Sequence, residues 1–154
     1  MSKNAPTIAQ IQLCCRHVVE MRATGMTENV AIRLLELLCV MYCKFRVIGK
    51  CTPDHVDQFT HWSKAGRLAK AANPTSKPGS YLRVEHGTPR RDFARDVLEA
   101  YKANTLTEDW LNNHCAAQFK VAVVTHEEDK RLNKLKGKRF ATPDERWAAV
   151  NIDF

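Results

Sequence analysis

The amino-acid sequence predicts a mainly helical protein with a small two-stranded β element in its C-terminal half, an α+β fold. Three observations lead to this prediction. Threonines suited to helix N-caps recur along the chain, apolar residues follow helical spacing in most of it, and one short β-branched run stands out near the end. With 154 residues, of which 44% are hydrophobic and 27% charged, the chain has the composition of a folded protein.

Threonine marks the predicted helix starts, because its hydroxyl accepts a hydrogen bond from a free backbone N–H group of the first turn. Three of these threonines precede a proline, which loses no hydrogen bond at the first helical position. Two are followed three residues later by glutamate, the spacing of a capping box. The starts predicted in this way lie at Thr27, Thr52, Thr88, Thr125 and Thr142.

The first half of the chain is predicted to hold three helices. The first spans residues 7–23 and is closed by Gly25. The second spans residues 28–47 and is apolar nearly all round, which is typical of a helix in the middle of a core. The third spans residues 53–72 and carries apolar residues at helical spacing. These residues are Val56, Phe59, Trp62 and Leu68.

The second half is predicted to mix strands and helices. Residues 81–85 alternate enough for a short strand, and residues 119–125 (FKVAVVT) form the clearest strand because they are β-branched. We expect these two strands to pair with each other. Helices are predicted over residues 89–103, 107–116 and 125–135, and in a last short segment that contains Trp147.

Residues 73–80 (NPTSKPGS) are predicted to form a loop, since two prolines and a glycine prevent a helix from continuing. We expect a single domain over residues 1–154, because either half alone would bury little core. The alternative is a subdivision into a helical N-terminal part, residues 1–72, and a mixed α/β C-terminal part, residues 81–154.

The chain is expected to be cytoplasmic and to have no membrane partner. Its N-terminus lacks an apolar signal region, and residues 34–43, its most apolar stretch, are shorter than the roughly 20 residues that a membrane span needs. The six cysteines are therefore expected to be thiols in a reducing compartment. In the absence of a C-x-x-C motif, Cys39 and Cys43 are interpreted as small hydrophobic residues and no metal is expected.

A short element, EHGTP at residues 85–89, places a histidine at a predicted strand end just before a helix start. It resembles part of the HNH, or ββα-metal, nuclease family. In that family a strand-end histidine is the general base, beside a carboxylate that helps to hold a divalent cation. The resemblance implies catalytic roles for His86 and Glu85. The Asn and the second metal ligand that the family has on the following helix are missing here. Asp92 and Asp96, which lie on that helix, are the candidates to replace them. The other interpretation is a His86 that only packs at a turn.

The C-terminal part of the chain also resembles a family of uncharacterised bacterial and phage proteins. The matching features are the Glu-His-x-x-Pro element, the strand that runs into residues 123–128, and the segment from Trp147 to Ile152. This resemblance implies a setting in a mobile element or in defence against one. It implies no particular activity.

Six basic residues lie within residues 130–139, in a chain whose net charge is +7. Such a run binds phosphates through counterion release, without reading the base sequence, and Phe140 at its edge can stack on a base. The alternative is a solvated helix end, where cations suit the negative end of the helix dipole. The predicted nucleic-acid-binding residues are Lys130, Arg131, Lys134, Lys136, Lys138 and Arg139.

Three functions stay open at this point. The favoured one is a small basic protein that binds nucleic acid, or a complex that handles nucleic acid, without catalysis. The second is a phage or mobile-element inhibitor that binds a host defence protein complex, and the third is a metal-dependent HNH-like nuclease. With few glycines and no phosphate-cradling loop, no cofactor is expected. The apolar second helix also allows a homodimer.

Overall fold

A computed structural model describes residues 5–154 of the chain. The described residues are 59% helical, and they contain a two-stranded antiparallel sheet in the C-terminal half. The predicted fold class, mainly α with a small β element, is therefore confirmed. Two compact units are present. The first combines the described residues up to Thr52 with Pro89–Ala117, and the second combines Pro53–Thr88 with Gln118–Phe154.

The helices and strands follow the chain in a simple order, with two short 3-10 turns at Val56–Gln58 and Pro78–Ser80. The named elements are α1 (Ile8–Ala23), α2 (Glu28–Ala31), α3 (Arg33–Ile48), α4 (Lys64–Ala72), β1 (Leu82–His86), α5 (Arg90–Lys102), α6 (Glu108–Gln118), β2 (Val121–Thr125), α7 (His126–Asn133) and α8 (Pro143–Ala148).

In the first unit, α1, α3 and α5 pack against one another. A capping box at Thr7 begins α1, and Gly25, which was predicted to close this helix, follows its C-cap with a φ of +91°. Glycine suits that left-handed conformation because a β-carbon would be strained there. The side chains buried most completely at the centre of this unit are Ile11, Cys15, Val18, Ile32, Leu35, Cys43, Ala94, Val97 and Leu111.

The predicted second helix, residues 28–47, differs from expectation in two ways. It is divided at Ile32, which ends α2 and precedes α3. Nor is it surrounded by core, because Leu34 and Leu37 remain 52% and 54% exposed while Leu35 is fully buried. The prediction of a helix buried all round is wrong, since the first unit covers only one side of α3.

The second unit is built around the sheet. The strands β1 and β2 pair in the register that runs from Leu82↔Thr125 to His86↔Val121, so the predicted pairing is confirmed. Strand β2 also has a neighbour on its other edge, because Val123 exchanges backbone hydrogen bonds of 2.9 Å with His61 and Ser63. One face of the sheet packs on Val56 and Phe59, and the other packs on Leu132, Trp147 and Ile152.

The predicted third helix, residues 53–72, is wrong in its first half. The chain there forms a 3-10 turn and then a bridge from Trp62 to Val123, and only α4 is α-helical. Residues 73–80 lie within the second unit. The expectation of a single domain stays a prediction.

Candidate functional site

The end of β1 carries the two residues that the nuclease resemblance singled out. Glu85 and His86 are consecutive in the strand, so their side chains point to opposite faces of the sheet. His86 Nε2 lies 2.9 Å from Asp54 Oδ2, and the two side chains are only 9% and 12% exposed. The imidazole also contacts the edge of the Phe119 ring. His86 is therefore held in a nearly buried imidazole–carboxylate pair.

On the opposite face, Glu85 forms an ion pair with Arg146 of α8, and both side chains are almost buried. Burial raises the pKa of the Glu85 carboxyl above its usual range, while the nearby Arg146 guanidinium acts in the opposite direction. Arg146 Nη1 also lies 3.4 Å from the carbonyl oxygen of His86. The cation that the Glu85 carboxylate contacts is therefore the Arg146 guanidinium.

Gly87 lets α8 approach the strand end closely. Its N–H group donates a 2.8 Å hydrogen bond to the carbonyl of Lys120, which extends the pairing of the two strands. A β-carbon on Gly87 would collide with the Pro143 ring and would lie 2.8 Å from Trp147 Cζ2. The absent side chain therefore makes room for the N-terminal turn of α8, the helix that carries Arg146.

The other two proposed metal ligands, Asp92 and Asp96, lie on α5 in the first unit. An oxygen of Asp92 is 3.2 Å from Arg95 Nη1. Asp96 Oδ2 is 3.2 Å from His114 Nε2, and the ring of His114 stacks on Trp110. The sequence did not suggest the Asp96–His114 pair, because the two residues lie on different helices.

The predicted basic segment, residues 130–139, begins in the last turn of α7 and continues into the following turns. All six of its basic residues are exposed, and it contains no acidic residue. Two leucines hold the segment to the fold, since Leu132 is buried in the core and Leu135 packs against the same cluster. The cations between and beyond these leucines project into solvent.

One lysine of the basic segment has an acidic neighbour. Lys130 Nζ lies 2.6 Å from Glu127 Oε1, and both side chains are largely exposed. The hydrogen bond from Lys130 lowers the pKa of Glu127. Pairs exposed to this extent are weak and are readily exchanged for a phosphate partner. Phe140, at the end of the segment, is half-buried.

Helix α7 positions the basic segment through a buried capping network. Thr125 Oγ1 accepts from the N–H group of Glu128, and Glu128 Oε2 accepts from the N–H group of Thr125, which is the capping box that the sequence predicted. The same carboxylate oxygen also accepts a 2.6 Å hydrogen bond from the Ser63 hydroxyl. Glu128 is only 4% exposed. The Ser63 contact was missed because it joins residues far apart in the chain.

The expectation of six thiols is wrong for two cysteines. Cys43 of α3 and Cys115 of α6 form a disulfide with a Cα–Cα distance of 5.7 Å, which lies in the usual range. Cys14, Cys15, Cys39 and Cys51 are free. Burial raises the pKa of the Cys15 thiol to about 12 and that of Cys39 well above its usual value. These two thiols therefore stay protonated at neutral pH and are poor nucleophiles.

Within residues 5–154, no group of three or more His, Cys, Asp or Glu side chains is arranged to hold a metal ion. None of the helices in the same part of the chain has the length and apolar character needed to cross a membrane. The sequence matches none of the family models, curated proteins or solved structures with which it was compared.

Proposed function

We propose that this protein binds nucleic acid in the cytoplasm through the basic segment, residues 130–139, and that it does so without catalysis. One observation carries the proposal: six exposed cations occupy ten consecutive residues that contain no carboxylate. Leu132, which is buried, and Leu135, which packs against the same cluster, attach this segment to the second unit. A folded, cationic segment of this kind is suited to the phosphate backbone.

The expected recognition is electrostatic. Lysine and arginine side chains displace the counterions that surround a polyphosphate, and the released ions provide most of the binding free energy. Four of the six cations lie beyond the end of α7, so the segment offers no rigid array for bidentate contacts to base edges. We therefore expect little sequence preference and a strong dependence on salt.

The salt dependence provides the first test. Binding of the full chain to a fluorescent DNA duplex and to a single-stranded RNA would be measured by anisotropy at several salt concentrations. If about four phosphates are neutralised, affinity for the duplex should fall roughly a hundredfold between about 50 and 200 mM salt. Binding that does not change with salt, or no binding at low salt, would contradict the proposal.

A pair of matched variants provides the second test. Lys134→Glu/Lys136→Glu reverses two exposed cations of the basic segment, and Lys64→Glu/Lys77→Glu reverses two exposed cations elsewhere in the same unit. Both variants lower the net charge by the same amount. Loss of affinity only in the first locates binding in the basic segment, whereas equal losses would mean that overall charge alone attracts the nucleic acid.

The nuclease, the third function that the sequence left open, is favoured by one observation, the His86–Asp54 pair. A carboxylate that orients an imidazole is a common feature of general bases. Against it, the adjacent carboxylate of Glu85 is paired with Arg146. A nuclease would cleave plasmid DNA with Mg²⁺ or Mn²⁺ and lose this activity in His86→Ala. Cleavage that persists in His86→Ala would exclude the assigned base.

A further inference from the structure

Two aromatic rings stack on each other at the surface of the second unit. The rings of His61 and Phe154 are nearly parallel, with 11° between their planes and 4.1 Å between their centroids. Both residues remain exposed, and Phe154 is 40% exposed. Each ring uses one face for the pair, so its other face is available to a further flat ring.

A third ring, that of Trp147, supports the pair from the side. Its centroid lies 5.5 Å from that of His61 and 4.9 Å from that of Phe154. A ring on an outer face of the pair would lie roughly 8–9 Å from the farther centroid, since stacked centroids are about 4.5 Å apart or more. Trp147, which is 1% exposed, therefore anchors the pair and covers neither outer face.

Backbone hydrogen bonds fix the position of both rings. The carbonyl of His61 accepts a 2.9 Å hydrogen bond from the N–H group of Val123 in β2. The carbonyl of Asp153, the residue before Phe154, accepts one of 2.7 Å from the N–H group of Lys64. Rings held in this way lose little further freedom when a ligand stacks on them, which favours binding.

Cations lie beside the pair. Among the charged groups that act on His61, Lys120 and Arg67 are cations and Asp144 is a carboxylate. Lys120 and Asp144 form an ion pair of 2.6 Å in which both side chains are exposed. A phosphate can replace Asp144 in such a pair, because exposed ion pairs are weak. The site therefore combines a flat face for a base with cations for the phosphates next to it.

The ring pair and the basic segment are attached to the same buried cluster. Trp147 belongs to this cluster, and so does Leu132 of the basic segment. Aromatic rings beside a cationic surface are the usual parts of a site for single-stranded nucleic acid, because every base offers a flat face for stacking. The bases of a duplex are already paired and stacked on one another, so a duplex offers the ring pair no free base.

We infer that the His61–Phe154 pair stacks on an unpaired base and gives this protein an affinity for single-stranded nucleic acid beyond that due to its charge. The inference rests on the proposed nucleic-acid binding and specifies its ligand. The basic segment attracts the phosphates of either form, and the ring pair adds affinity for the single strand alone.

The wild type is tested with three labelled oligonucleotides of about 16 nucleotides, a length within the site sizes of single-strand binding folds. They are an adenine single strand, the same strand in a duplex, and a strand of equal length that lacks bases. Anisotropy titrations of the full chain at one low salt concentration give the affinities. The adenine strand should bind roughly fivefold or more tightly than the strand without bases, which has the same phosphates. Equal affinities for these two strands overturn the inference.

Variants at the two rings locate the effect. His61→Leu and Phe154→Leu each remove a ring and keep an apolar side chain. Each should weaken binding of the adenine strand roughly fivefold or more and leave binding of the duplex and of the strand without bases unchanged. His61→Phe keeps a ring and should keep the affinity. His55→Leu, at another exposed histidine of the same unit, is the matched control.

The outcomes separate this inference from the proposed function. Circular dichroism shows which variants fold, and the strand without bases tests the wild type even where a leucine variant does not. Unchanged affinity for the adenine strand in the folded leucine variants, or an equal loss for the duplex, overturns the inference and leaves the basic segment as the binding site. A chain that binds none of the three oligonucleotides at low salt contradicts the proposed function, and the inference falls with it.

Discussion

Gly87 shows how one residue sets the contact between a strand end and a helix. Replacement by alanine would place a β-carbon against Pro143 and Trp147, and neither ring can move without disturbing the core around it. We expect Gly87→Ala to lower the free energy of unfolding by about 2 kcal/mol, measured by urea denaturation. Gly79→Ala is the matched control, since its β-carbon would meet no atom within 4 Å. Equal effects of the two variants would contradict the steric argument.

His61 is predicted to make the stability depend on pH. Burial is the main cause that lowers its pKa below the ordinary value of 6.5, with Lys120 and Arg67 adding to the effect and Asp144 opposing it. A histidine with a lowered folded pKa favours folding while it is neutral. Its contribution is therefore complete above pH 6.5 and is lost as the pH falls through the lowered pKa.

The variant that checks this prediction is His61→Phe. The His61 ring stacks on Phe154 with 4.1 Å between centroids, and a phenyl ring can keep that stacking without accepting a proton. We expect the variant to lose less stability than the wild type when the pH is lowered from about 7 to about 5. Urea midpoints across this range provide the measurement. Parallel losses in both proteins would show that His61 does not contribute.

The sequence predicted part of the candidate site and missed the rest for a physical reason. His86 was placed at a strand end because its neighbours alternate and a proline follows. Its partner Asp54 lies 32 positions away, and Arg146 lies 61 positions from Glu85. Local spacing does not indicate which distant side chains a fold brings together. The basic segment was easier to identify, because its six cations lie within ten consecutive residues of the sequence.

At the scale of helices, the predicted hydrogen bond from the first turn to a threonine hydroxyl forms at two of the five predicted helix starts. Thr125 and Thr142 both accept a hydrogen bond from a backbone N–H group three residues on. Thr88 instead donates to Gln118 Oε1, and Pro89 takes the N-cap position of α5. After Thr52, Asp54 pairs with His86, and no α-helix begins there. Tertiary contacts therefore decided where a helix begins.

The first half of the predicted helix over residues 53–72 does not form, because the spacing of its apolar residues is compatible with two backbone conformations. Val56, Phe59 and Trp62 are separated by three residues each, and side chains at this spacing align on a 3-10 turn as well as on an α-helix. The 3-10 turn lets Val56 and Phe59 cover the sheet while Trp62 bridges β2. Packing of Val56 and Phe59 on the sheet favours the turn. The local sequence pattern does not show this packing.

Removal of a helix cap gives a measurable prediction at this scale. Thr125→Ala removes the hydroxyl that accepts from Glu128 N–H and the contact of Thr125 with the buried Glu128 carboxylate. We expect a loss of about 1–2 kcal/mol in the free energy of unfolding. Thr27→Ala is the control, because Thr27 occupies an N-cap position without a side-chain hydrogen bond to the helix. The prediction fails if both variants lose the same amount.

At the scale of the whole molecule, each unit is assembled from two separate stretches of the chain. Residues 53–88 belong to one unit, while the stretches that precede and follow them belong to the other. The alternative subdivision at residues 73–80 would require that each structural part be one continuous stretch of the chain. The composition of the chain indicates where loops lie, but it does not show which distant stretches form one unit. The strands β1 and β2 pair although α5 and α6 lie between them in the sequence.

The Cys43–Cys115 disulfide links the two stretches of the chain that form the first unit, which residues 53–88 separate in the sequence. It closes a loop across a sequence separation of 72 residues, from α3 to α6. A cross-link over such a loop restricts the unfolded chain, and the entropy model assigns it a stabilisation of about 4 kcal/mol. We therefore expect reduction, or the double variant Cys43→Ala/Cys115→Ala, to lower the thermal midpoint by many degrees. Cys51→Ala, which changes a free thiol, should have little effect.

Alkylation followed by intact mass measurement shows whether the bond is present, because two fewer cysteines react before reduction than after it. The decisive comparison is the thermal midpoint with and without reductant. A stabilising bond shifts the midpoint of the wild type, whereas the double alanine variant, which has no bond to lose, should show no shift. If reductant lowers the two midpoints equally, the reductant acts elsewhere, and the link between α3 and α6 does not stabilise the first unit.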